Sequence, residues 1–146
     1  RRFNKIFTFN KIDYFDDYAH HPTEIKMVLD GVSKVYKEYE KVCIFQPHRI
    51  SRIRDLKKEF SFAFKNADMV ILCPIYTAGE KMRLGFDYLK FAKEIIKNSK
   101  VKLFMVNNNY ELAKFIKMNI YGKKIVIGMG AGTISNWMKN LPDLLR

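Results

Sequence analysis

Asp16-Asp17-Tyr18-Ala19-His20-His21-Pro22-Thr23-Glu24-Ile25 packs carboxylates, an aromatic ring and two imidazoles into the few residues where an extended run gives way to a helix. Upstream, Ile12 to Phe15 is apolar and aromatic, the composition of a strand. From Pro22 the apolar residues Ile25, Val28, Leu29, Val32, Val35 and Tyr36 recur at helical spacing. Proline suits the first turn of a helix, where its missing N–H leaves no bond unmade. The polar cluster therefore sits at the carboxyl end of a strand, just before a helix. In open α/β sheets that is where ligands bind.

The same alternation runs through the chain. The pattern predicts strands over Ile12–Asp17, 41–46, 69–74, 101–106 and 124–128. Helices are expected over 22–39, 51–64, 85–98, 110–118 and 133–144, and residues 1–10 read as an edge strand. The strands are nearly continuous apolar runs, as in a sheet buried on both faces. The fold class is α/β: a Rossmann-like, mostly parallel six-stranded sheet with helices on both faces. The unusual residues lie in the loops after the strands: Asp17-Tyr18-Ala19-His20, Gln46-Pro47-His48-Arg49, Tyr76-Thr77-Ala78-Gly79-Glu80 and Gly128-Met129-Gly130-Ala131-Gly132. All are expected along one edge of the sheet, where they would converge on a site.

The chain of 146 residues is expected to form a single domain with a substantial core. No apolar run approaches the length of a membrane span, and the opening residues carry no signal-peptide pattern. A net charge of +12 raises the question of nucleic acid. The lysines are spread along helices and loops, however, and no nucleic-acid motif is present. Solvated lysine faces and an anionic small-molecule substrate account for the charge better. Cys43 and Cys73 each lie inside a strand-like run, so they read as buried free thiols in a reducing cytoplasm.

Arg49 and Arg52 are three residues apart near a helix start and can project to the same side. A guanidinium fork binds carboxylate or phosphate through two parallel hydrogen bonds, and helix-terminal N–H groups would add to the attraction. The competing reading is a surface pair with Asp55 or Glu59. His20-His21 has no third ligand at a recognisable interval, so hydrogen bonding to an anion or a structural role outweighs metal binding. Asp17 suits the hydroxyls of a ribose, or else the capping of its own turn. The glycines of 128–132 lack the spacing of a dinucleotide loop and read as close-packing positions. No P-loop occurs, so this chain alone has no cradle for a triphosphate.

These motifs together resemble the carboxy-terminal domain of the Mur ligases. The matching stretches are Arg1-Arg2-Phe3, residues 16–24, Gln46-Pro47-His48-Arg49 with Arg52 and Arg54-Asp55, Ala78-Gly79-Glu80 and Gly130-Ala131-Gly132. The Pro-His-Arg-x-x-Arg element points to the branch that adds L-alanine to UDP-N-acetylmuramate in peptidoglycan precursor synthesis. Murein peptide ligase is the sister reading, and a basic Rossmann-like binding module the reading from another class.

The resemblance implies the last domain of a three-domain enzyme, inactive alone. The UDP-sugar domain and the central ATPase domain, with most of the Mg2+ ligands, would lie outside residues 1–146. It implies that ATP activates the lactyl carboxylate as an acyl phosphate, which the amine of L-alanine attacks. His20, His48, Arg49 and Arg52 would bind the amino acid. Arg2, Asp17 and Tyr18 would serve the nucleotide, with Arg2 at the hinge. The segment 81–85 departs from the family pattern, leaving the role of its loop open.

Overall fold

The structure, a computed structural model, describes residues 3–81 and 86–146. Strands β1 (Asn4–Phe9) and β2 (Ile12–Asp17) form an antiparallel hairpin. Asn10 and Lys11 join them with φ of 53° and 65°, the paired positive values of a type I′ turn. The chain continues through α1 (Pro22–Val35), β3 (Glu40–Phe45), α2 (Ile50–Asp55), α3 (Lys57–Phe62) and β4 (Met69–Leu72). It ends with α4 (Tyr88–Ser99), β5 (Lys102–Met105), α5 (Asn109–Asn119), β6 (Lys124–Met129) and α6 (Ile134–Leu145). The six strands lie in the order β1-β2-β6-β3-β4-β5, all parallel except β1.

Each face of the sheet carries its own core. On one, Ile25 and Leu29 of α1, Phe60 of α3 and Phe91 and Ile95 of α4 pack with Phe45. On the other, Leu112 and Ile116 of α5 and Ile134, Met138 and Leu141 of α6 cover Ile44, Ile71 and Val126. Strand β6 lies between β2 and β3. The loop after β2 leads to α1 on one face and the loop after β6 to α6 on the other. The crevice between such diverging loops is the topological switch point of an open sheet.

Tertiary contacts move several element ends from their sequence-based positions. The helix expected over 22–39 stops at Val35. Tyr36 closes it and turns its ring onto Phe15 and Tyr39. The helix expected over 51–64 is two helices, broken at Leu56 (φ −116°, ψ 22°). After the break, Phe60 reaches Phe45 and Phe91. The expected start of the next helix, Gly85, lies outside the described residues; α4 begins after Asp87, whose carboxylate accepts from Lys90 N at 2.9 Å. Cys43 and Cys73 are buried free thiols, and burial pushes Cys73 up to about 12.

Gly128 is required by the seat of α6 on the sheet. A Cβ there would lie 2.7 Å from both Cγ and Sδ of Met138. Gly128→Ala is therefore expected to cost about 1–3 kcal/mol, the usual penalty for overpacking a filled core. Chemical denaturation checks this, and wild-type stability would show that Met138 moves aside freely.

Candidate functional site

The turn from β2 to α1 is held by its own polar groups. Asp17, at the strand end, accepts from Ala19 N at 2.8 Å through Oδ1 and from Phe3 N at 2.7 Å through Oδ2. His21 caps α1 by accepting from Thr23 N at 3.4 Å. Glu24 closes the capping box by accepting from the backbone N–H of His20 at 3.2 Å and of His21 at 3.1 Å. Partial burial raises the Glu24 carboxyl, but those N–H groups and the two imidazoles outweigh it and hold the carboxyl below its ordinary value. The adjacent histidines thus divide: His21 serves the helix, and His20 turns to the neighbouring loop.

That neighbour is the end of β3. His48 forms a parallel bridge with Tyr76, with Tyr76 N donating to Pro47 O and Arg49 N to Tyr76 O, both at 2.8 Å. The His48 ring stacks on Tyr76 at 5.5 Å and meets His20 edge-on at 5.6 Å. Arg49 is left at φ 71°, a conformation strained for a residue with a Cβ. Arg52 Nη1 lies 3.2 Å from His48 Nδ1. A guanidinium only donates, so Nδ1 is the acceptor and the neutral ring carries its proton on Nε2. Burial first, and then Arg52, His20 and Arg49, lower the His48 pKa, with Glu80 opposing.

Glu80 is the residue that sequence reasoning left without a role. Its carboxylate accepts from the Ser51 hydroxyl and from Ser51 N at 3.2 Å, and it pairs with Arg49 Nη1 at 3.9 Å. The Ser51 hydroxyl foremost, with backbone N–H groups and Arg49, holds the Glu80 carboxyl below its ordinary value. The helix-terminal N–H of Ser51, expected to attract a ligand, is therefore taken by the protein. Arg49 pairs with Glu80 rather than with Asp55 or Glu59, and Asp55 takes Arg54. Ala78-Gly79-Glu80 was visible as a motif, but its partner across the sheet edge was not.

Gly130 and Gly132 allow close approach in the loop after β6. A Cβ at Gly130 would meet Gln46 O at 2.9 Å, and one at Gly132 the Tyr76 ring at 2.5 Å. Beside Asp17 and half-exposed Tyr18 opens a largely apolar groove of about 750 Å³, lined also by Phe3, Met27, Val28 and Tyr36. Arg2 lies outside the described residues, as do four of the five positions in 81–85. Among the described residues no group of three or more His, Cys, Asp or Glu side chains is placed to hold a metal ion.

A doubly wound sheet with two guanidiniums and two imidazoles gathered at its carboxyl edge defines the class, a Rossmann-like α/β domain. The chain matches the Mur ligase, glutamate ligase domain family over residues 1–132 and belongs to it. It is 70% identical to the UDP-N-acetylmuramate–L-alanine ligase of Pelagibacter ubique over 145 residues, 99% of this chain and 31% of that protein. Identity to the ligase of the same name from Caulobacter vibrioides is 36% over the same shares. The structure aligns with UDP-N-acetylmuramate–alanine ligase MurC of Thermotoga maritima at a TM-score of 0.75 and 27% identity, covering 98% of this chain and 29% of that one. With the murein peptide ligase of Psychrobacter arcticus the TM-score is 0.77 at 20% identity, over 99% of this chain and 30% of that one, a likeness of fold. The chain thus spans less than a third of the length of these relatives.

The Arg52 contact has a titration signature. His48 is expected to stay neutral at pH 7 and to take a proton only below the ordinary histidine value of 6.5. With its folded pKa depressed, it contributes stability above pH 6.5 that is lost as the pH falls through the folded value. In Arg52→Ala the midpoint should rise, which NMR titration of the imidazole would detect. An unchanged midpoint would show that the guanidinium does not act on the ring.

Proposed function

We propose that this chain is the amino-acid-binding domain of an ATP-dependent ligase that joins L-alanine to UDP-N-acetylmuramate in the cytoplasm, for peptidoglycan precursor synthesis. The observation that carries this reading is the convergence of Arg49, Arg52, His48 and His20 at one edge of the sheet. Arg49 and Arg52 would clasp the alanine carboxylate, and the Nε2–H of His48 would add a neutral donor. Holding the carboxylate fixes where the amine can reach, a gain in proximity and orientation. The high identity to proteins named as alanine ligases favours this reading over the peptide-adding one and over a nucleic-acid module.

Asp17 and Tyr18 would meet the nucleoside end of ATP. Each Asp17 oxygen takes one backbone N–H and retains a lone pair for a ribose hydroxyl. The apolar groove beside them fits a flat base, and Arg2 would lie towards the phosphates. Bound ATP supplies the phosphoryl group that activates the acceptor carboxylate. The family resemblance would place the Mg2+ ligands mainly in a central ATPase domain. No helix among the described residues is long and apolar enough to cross a membrane.

In the full-length ligase, Arg49→Ala should raise the KM for L-alanine about tenfold to a hundredfold, since a hydrogen bond to a charged group contributes about 1.5–3 kcal/mol. The KM for ATP should change little. Steady-state kinetics with each substrate varied separately checks this, and an unaltered KM for alanine would overturn the assignment.

A further inference from the structure

The two site imidazoles are held as opposite tautomers. His48 Nδ1 accepts from Arg52 at 3.2 Å, so His48 offers a proton from Nε2. His20 Nδ1 lies 3.0 Å from the carbonyl oxygen of Tyr18, which only accepts. His20 therefore keeps its proton on Nδ1 and leaves Nε2 as a bare lone pair. Glu24 Oε1 stands 3.6 Å from the same Nδ1, on the α1 side of the ring. The ring centroids are 5.6 Å apart, within the span of one amino acid. One half of the site is thus composed of donors, the Arg49 and Arg52 guanidiniums and His48 Nε2–H. The other half contains an acceptor backed by a carboxylate. An amino acid arrives as a zwitterion with the same two ends, and its ammonium has no lone pair until it loses a proton.

Resting on the amino-acid reading above, we propose that His20 is the general base that deprotonates the α-ammonium of the bound amino acid. An N–H bond of the ammonium breaks and its proton joins His20 Nε2, leaving the electron pair on the amine nitrogen. That pair attacks the activated acyl carbon of the acceptor. The C–N bond forms, the C–O bond to phosphate breaks, and phosphate leaves with the bonding pair. The surplus proton on the new amide nitrogen passes to the departing phosphate, and the imidazolium returns its own to solvent.

The groups around His20 fix which of its nitrogens is turned to the site. Tyr18 O accepts from Nδ1–H and Glu24 Oε1 stands behind the same nitrogen, while the His48 ring, carrying Arg52 on its Nδ1, faces His20 edge-on. A carboxylate behind an imidazole whose far nitrogen works on the substrate is a recurrent base arrangement.

The test uses the full-length ligase with L-alanine and ATP. In His20→Gln, kcat/KM for alanine should fall about a hundredfold at neutral pH, a usual contribution of a positioned base, with the KM for ATP unchanged. The deficit should shrink as the pH rises and alanine loses its proton unaided, and added imidazole should restore part of the activity of His20→Ala. A raised KM for alanine with unchanged kcat and pH profile would overturn the base role. Nitrogen-15 NMR of this chain gives a second reading independent of the variants: His20 with its proton on Nδ1 supports the proposal, and a proton on Nε2 refutes it. Arg49→Ala separates the two levels. If it leaves the KM for alanine untouched, the amino-acid site itself falls; if it raises that KM while His20→Gln keeps the wild-type pH profile, only the base assignment falls.

Discussion

The side-chain amide of Gln46 is the junction from which the site hangs. It is 3% exposed, and both ends are used: Oε1 accepts from Ile134 N at 3.0 Å and Nε2 donates to Thr133 Oγ1 at 2.8 Å. One side chain thereby ties the end of β3 to the start of α6, while its backbone N–H bonds Met129 O of β6 at 3.0 Å. Gly130 N reaches Asp17 O at 3.3 Å and brings in the end of β2. A buried amide deprived of a partner costs about 1–3 kcal/mol, so this junction has little freedom to slip. His48 and Arg49 follow within a few residues, and their distance from His20 is inherited from it.

Arg49 shows what that fixed frame allows. Its positive φ is a conformation an isolated residue with a Cβ avoids, and it persists because neighbouring structure over-determines it. Tyr76 O holds its N–H, the His48–Tyr76 bridge holds the residue before it, and Glu80 restrains the guanidinium. At 3.9 Å and with the arginine side chain 44% exposed, the Glu80 pair is loose enough to leave part of the fork free. An arginine already confined loses less freedom when a ligand carboxylate arrives.

The strand from Ile12 to Asp17 and the helix after it were legible because their signals are local: an aromatic run, a proline at the first turn, apolar spacing. The same is true of the convergence of strand-end loops, which follows from parallel topology alone. Where local signals gave out, distant partners decided. Nothing between Ser51 and Phe64 announces a break at Leu56, which is set by where Phe45 and Phe91 await Phe60. Nor does spacing reveal that Ser51, 29 positions before Glu80, is its partner, or that Tyr76 becomes the stacking platform for His48. The arginine pair and both histidines were nameable as chemistry. Their tautomers were not, because a tautomer is written by the atom each ring nitrogen meets.

The charge of the site differs from the charge of the chain. The whole carries +12, yet the Arg49 and Arg52 guanidiniums are set among the Asp17, Glu24 and Glu80 carboxylates. With His48 neutral these described groups come near to balance, and beyond about 8–10 Å at ordinary ionic strength such a balance is screened to little. The proposed amino acid would then be recognised at contact range, through direction rather than net attraction. Each carboxylate is tied to protein donors: Asp17 to backbone N–H groups, Glu24 to the helix cap, Glu80 to Ser51 and Arg49. In the proposed amino-acid site, the donors on one side and His20 Nε2 on the other would face the ligand. A near-neutral site with its two polarities set apart would favour the zwitterion of an amino acid over a simple anion.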